Sequence, residues 1–78
     1  MNPSVGQWLN QARDALAAAG SESPALDAEV ILSCALRKSR AWLLAHQGDV
    51  VAQDALMRVA PMLDRRIRGI PVADITGT

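Results

Sequence analysis

Apolar residues recur along the chain at helical rather than strand spacing. In SVGQWLNQARDALAAAG, residues 4–20, the side chains of Val5, Trp8, Leu9, Ala12, Leu16 and Ala19 share one face of a 3.6-residue period, while Gln7, Gln11 and Asp14 lie opposite. Ser4 and Gln7 have capping-box spacing, in which hydroxyl and amide satisfy each other's orphan backbone N–H groups. Gly20 supplies a residue that tolerates positive φ where the pattern stops. A helix is predicted over 4–19.

The next segment, SPALDAEVILSCALRKS, is apolar around most of its circumference. Leu26, Ala28, Val30, Ile31, Leu32, Cys34, Ala35 and Leu36 leave only Glu29, Ser33 and Arg37 as a polar stripe. Such a helix belongs at the centre of a domain. Ser23 is the expected N-cap with Pro24 at the first position, Asp27 faces the positive end of the helix dipole, and Arg37 and Lys38 face the negative end. A short helix over 40–46 follows, capped by Ser39, burying Trp42 and Leu43 and closed by Gly48. The last long segment, 50–68, carries a stripe of Val59, Leu63 and Ile67 widened by Leu56 and Met62. Its ion pairs Asp54/Arg58 and Asp64/Arg68 stand at i,i+4. Pro61 conflicts with this pattern, because it cannot donate to the Met57 carbonyl, and a kink or break near 57–61 is expected. After Gly69 a short turn over 71–75 completes the pattern. The fold class is all-α: a small orthogonal bundle of four to five helices, with helix 23–37 central and buried.

Composition narrows the picture. The 78 residues make one domain, which at this size buries roughly 60–65% of its unfolded surface. The apolar half of the chain is Ala, Leu and Val with two Trp and no Phe or Tyr, which suits helices in close contact and not a sandwich or barrel. Eight acidic and eight basic residues cancel, so the footprint of a dedicated nucleic-acid binder is absent and nucleic acid is not the expected partner. The single Cys34 excludes an intrachain disulfide and fits a reducing compartment. No run is long enough for a membrane span, and MNPSVGQW has no basic region followed by an apolar block. A cytoplasmic monomer with no membrane partner is the expectation.

Candidate chemistry is sparse. Asp27 and Glu29, at i,i+2, point about 200° apart on a helix and cannot act together; they read as a dipole partner and a solvated charge. His46 has no ligand-spaced neighbour and reads as a helix-end residue, and Cys34 as a small core residue. No glycine-rich phosphate loop is present. What remains is a set of cations on the last long helix. Arg58, Arg65 and Arg68 can share one side, with Arg66 rotated away, as a patch for an acidic partner or as a solvated face half neutralised by Asp54 and Asp64. Residues 37–40, RKSR, form a second small cluster read as a helix end plus loop. A stand-alone helical interaction module and a nucleic-acid-binding module remain as alternatives on this basis.

Three stretches resemble the N-terminal domain of the HemK (PrmC-like) family of release factor glutamine methyltransferases. They are the opening helix with Trp8-Leu9 and 12–16 before a glycine, the SPALDAEVILSCAL segment, and an ending of Arg65, Arg66, Gly69, Pro71, Ile75 and Gly77. Three positions depart from that pattern: Asp74 stands where Tyr or His is usual, Ile70 where a polar residue is usual, and Pro61 within a helix the family keeps. The resemblance implies a helical domain joined through a linker, starting near Gly77, to a Rossmann-like methyltransferase domain beyond the chain. The implied activity is methyl transfer from S-adenosylmethionine to the Gln of the Gly-Gly-Gln motif of class I peptide chain release factors. Cofactor and catalytic residues would lie in that other domain, so no catalytic, cofactor or metal residue is expected here. The expected contribution of this domain is to dock the release factor, with Arg58, Arg65, Arg66 and Arg68 as candidate contacts.

Overall fold

Helix α1 (Val5–Ala18) leads into α2 (Pro24–Leu36), α3 (Arg40–Ala45), α4 (Gln53–Ile67) and α5 (Val72–Thr76) in the computed structural model, which describes residues 1–76. The all-α architecture read from the sequence is the one observed, with no strand among the described residues beyond a single bridge between Ser4 and Val50. Gly77, expected to open a linker, lies outside the described residues. The radius of gyration, 11.3 Å, matches the value of about 11.5 Å for a globule of this length. No helix among the described residues is long and apolar enough to cross a membrane.

Helix α2 is central, touching each of the other four helices. It is not buried all round, as its apolar circumference suggested. Ala28, Ile31, Leu32 and Ala35 enter the core, but Leu26 and Cys34 are exposed. Four neighbours are too few to cover a cylinder, and one α2 face is left open. The core gathers Val5, Trp8, Ala12 and Leu16 of α1, the α2 face, Leu43 of α3, Val51, and Ala55 and Val59 of α4. Leu16, Ile31, Leu32 and Leu43 are sealed from solvent, each worth about 1.5–3 kcal/mol in buried side chain.

Three long helices end alike. A residue of positive φ follows each helix, directly at Arg37 (57°) and one residue past the C-cap at Gly20 (92°) and Gly69 (95°). In each, the next N–H reaches back five residues: Ser21 to Leu16, Lys38 to Ser33 and Ile70 to Arg65, at 3.0–3.1 Å. This pair of features satisfies the last carbonyls and turns the chain sharply. Gly20 and Gly69 do it with no steric cost, whereas Arg37 accepts left-handed strain. Gly48 does not play the same part; α3 stops at Ala45 with His46 as its C-cap, and Gly48, at the end of the turn that follows, has no positive φ.

The α1 start carries the expected capping box, with Gln7 N–H on Ser4 Oγ at 3.1 Å and Ser4 N–H on Gln7 Oε1 at 2.9 Å. Its remaining first-turn donors are satisfied by a distant loop. Val5 N–H meets the Asp49 carbonyl at 2.8 Å, Gly6 N–H meets that of Gln47 at 3.0 Å, and Val51 N–H meets that of Pro3 at 2.9 Å. This pairing holds the 47–51 loop against the start of α1, and α4 begins only at Gln53, later than the predicted residue 50. Gly6 permits the approach, since a Cβ there would lie 3.3 Å from Gln47 Cβ.

Helix α4 runs unbroken through Pro61, so of the expected kink or break the break does not occur. Met57 and Pro61 both face solvent, so the Met57 carbonyl that loses its donor is on the wet side of the helix, and the core seam is untouched. That seam is also shifted from the predicted stripe. Ala55, Val59 and Met62 lead to Arg66 at helical spacing, and Ile67 is left 37% exposed.

Candidate docking surface

Of the four arginines named as candidate contacts, two are structural ties. Arg66 turns inward, and its Nε donates to Asp27 Oδ2 at 2.9 Å, with the two side chains 22% and 10% exposed. Ser21 Oγ donates to the same carboxylate oxygen at 2.7 Å. Asp27 is therefore a buried hub and not merely a dipole partner, and Arg66 is withdrawn from the candidate contacts. Arg58 donates from Nε and Nη2 to the Ala35 carbonyl at 3.3 and 3.1 Å, near the α2 C-terminus, and from Nη1 to Asp54 at 3.0 Å. That hydrogen bond, with the Ala55 backbone N–H, holds the Asp54 carboxyl below the usual carboxylate range.

These ties share a register. Residues 27 and 35 of α2 are eight apart, as are 66 and 58 of α4, and eight residues span about 12 Å of helix. The two polar links therefore clamp α4 antiparallel to α2, one at each end of a common seam.

The other two arginines remain on the surface. Arg68 pairs with Asp64 at 3.0 Å, both well exposed, an i,i+4 contact of small energetic weight. Arg65 is exposed and has no side-chain partner among the described residues. It lies two turns beyond Arg58, rotated by only about 20°, so these two and Met62 between them follow one edge of α4. Opposite the Arg58–Met62 stretch of that edge, across an open groove of ≈ 570 Å³, stand Cys34, Ala35 and Arg37 of α2; Arg65 lies beyond the groove's lining. Arg37 is likewise exposed and without a side-chain partner among the described residues. The groove has an apolar floor of Ala35, Met62 and Cys34 and a rim of guanidinium groups.

Sequence reasoning read Cys34 as a core residue, whereas it is exposed, and read Arg37 as a helix-end charge without bringing it to the α4 edge. The 37–40 basic cluster was visible, but its nearness to α4 depends on how α2 and α4 pack. Elsewhere the charges are quietly employed. Glu29, read as solvated, accepts from Arg40 at 3.2 Å. His46 sits at the α3 end as expected, stacked on Trp42 at 4.2 Å between ring centroids, with Nδ1 2.8 Å from the Trp42 carbonyl. Lys38 Nζ covers the Trp42 ring at 5.3 Å. No group of three or more candidate metal ligands occurs among the described residues.

The family model described as the PrmC N-terminal domain matches residues 7–77. The chain is similar to the release factor glutamine methyltransferase of Aliivibrio fischeri, 35% identical over 77 residues, covering 99% of this chain and 27% of the relative. It is also similar to that of Vibrio cholerae, 36% identical over 77 residues with the same coverage of 99% and 27%. With that of Moorella thermoacetica it is 41% identical over 71 residues, covering 91% of this chain and 25% of the relative. The chain thus spans about a quarter of the length of these relatives. No solved structure gives a significant match. By a match that takes in four of its five helices whole and most of α1, the chain belongs to the PrmC N-terminal domain family.

Proposed function

We propose that this chain is the substrate-docking domain of a methyltransferase that modifies the Gln of the Gly-Gly-Gln motif in class I release factors. The observation that carries the reading is the match of residues 7–77 to a domain that stands at the N-terminus of release factor glutamine methyltransferases. The chemistry of the residues supports a non-catalytic share. A nucleotide-type cofactor of the methyltransferase kind is held at a glycine-rich strand-to-helix turn. The described residues contain no strand to build one, and in this reading S-adenosylmethionine falls to the part of the methyltransferase that this chain does not span.

The domain's contribution is binding energy. A single Gln side chain offers few contacts, so orientation of the reacting amide must draw on contacts remote from it. A helical body with exposed Arg37 and Arg65, neither with a side-chain partner among the described residues, supplies such contacts to an acidic surface and speeds encounter. The test is deletion of residues 1–76 from the methyltransferase that carries them, assayed on a whole release factor and on a short Gly-Gly-Gln peptide. The expected result is a large fall in kcat/KM for the whole factor with little change for the peptide. An equal fall on both substrates would overturn the reading.

A further inference from the structure

The groove between α2 and α4 has the chemistry of a recognition site for a protein segment that alternates carboxylates with apolar side chains. We infer that it is the surface by which this domain holds its partner, seating an acidic amphipathic segment with an apolar residue on Ala35, Met62 and Cys34 and carboxylates on Arg37 and Arg65. The inference deepens the docking reading above and rests on it for the identity of the partner.

Three observations carry it. First, charge is lopsided at this place although the chain as a whole is neutral. Arg37 and Arg58 line the groove, Arg65 stands two turns beyond Arg58 on the same edge of α4, and the acid beside Arg58, Asp54, is already engaged by it. Arg37 and Arg65 have no side-chain partner among the described residues. A guanidinium accepts a carboxylate through two parallel hydrogen bonds, so the complement of this rim is an acidic partner. Second, the floor is apolar and adaptable. Met62 is half-buried, packed on the core from one side, and its unbranched thioether can mould to an incoming side chain. Third, the groove walls are held rigid. The Arg58–Ala35 bonds cross its base, and the Asp27–Arg66 pair fixes the same two helices one seam-length away. A preformed groove loses little conformational freedom on binding.

Nucleic acid satisfies the same charges less well. Base recognition in single strands relies on aromatic platforms, and none borders this groove. The one partly exposed tryptophan, Trp42, is already covered by His46 and Lys38.

Cys34 provides a built-in reporter, because it is the only thiol in the chain, is exposed and forms part of the floor. The experiment measures the alkylation rate of Cys34 in the 78-residue chain, alone and with three additions: a purified class I release factor, a capped amphipathic peptide of glutamate, leucine and alanine, and transfer RNA. Affinities for the same additions are measured by titration calorimetry. The variants are Arg37→Glu and Arg65→Glu, whose side chains make no tie within the fold; unchanged melting curves verify folding. The expected result is slowed alkylation on adding release factor, and affinity about tenfold weaker in each variant. Release factor binding with Cys34 unprotected and both variants unaffected would overturn the groove and leave the docking reading standing. Protection by the peptide but not by release factor would uphold the groove and overturn the partner. Protection by neither protein probe, or by transfer RNA alone, would overturn the inference.

Discussion

Substituting Asp27 by Ala tests whether the packing of α2 against α4 depends on a buried charge. Asp27 is 7% exposed and accepts two short hydrogen bonds, from Ser21 Oγ at 2.7 Å and Arg66 Nε at 2.9 Å; a third contact, Ser23 Oγ at 3.5 Å, adds little. Breaking a fully buried ion pair costs about 3–5 kcal/mol, because the surviving charge is stranded. Here the Arg66 side chain keeps 22% exposure, so its head can recover some hydration. The structure therefore places the cost of Asp27→Ala at about 2–3 kcal/mol, a fall in melting temperature of about 10–20 °C for a domain of this size. Thermal and urea unfolding followed by circular dichroism measure it. Arg66→Ala should cost a similar amount, and the double variant less than the sum, with a coupling of about 1–2 kcal/mol. A loss below about 0.5 kcal/mol for Asp27→Ala, or strict additivity, would refute the view that this pair clamps the two helices.

Arg37→Gly should raise stability by about 0.5–1 kcal/mol, since it relieves a left-handed residue at φ 57° while keeping the helix-ending bonds; equilibrium unfolding reads the sign, and a loss would mean that Arg37 has packing the backbone does not reveal. Pro61→Ala should stabilise by about 2–3 kcal/mol by restoring the donor to the Met57 carbonyl in a helix that is already continuous, and a destabilised variant would refute that account of α4. Asp54 should titrate below its ordinary 3.8 in carboxyl NMR, and Arg58→Gln should bring the midpoint back up. Because its folded value is lowered, the stabilisation it lends is complete above about pH 4–5 and is lost as pH falls through that lowered value.

What the sequence conveyed best was whatever acts over a few residues. The Ser4/Gln7 box, the Ser39 cap on Trp42 N–H and the glycine stops at 20 and 69 lie within one turn of the groups they satisfy, so their spacing is sufficient evidence. Contacts between distant segments were not legible. Asp27 and Arg66 are 39 residues apart, and each had a simpler local explanation, dipole partner and surface cation. The late start of α4 has the same origin, since Val51 is claimed by Pro3 across the fold. Cys34 misled for a different reason. Apolar periodicity reports which residues avoid water on average, and a helix with four neighbours cannot bury its whole circumference. The basic edge was half visible, because Arg58 and Arg65 share a helix face, but Arg37 joins them only once α2 and α4 are clamped in register.

The strap between residues 3–6 and 47–51 makes the amino-terminal end a closing piece of the fold. First-turn amides of a terminal helix ordinarily fray and exchange quickly with solvent. Here the amides of Val5, Gly6 and Val51 are each bonded to the other segment, so their exchange reports opening of that junction and not local fraying. Trimming residues 1–4 would remove the Pro3 carbonyl and the Ser4 cap together, releasing the α3–α4 loop as well as the helix start. A tag or fusion is better separated from Pro3 by a spacer, because this end of the chain is a joint rather than a loose tail.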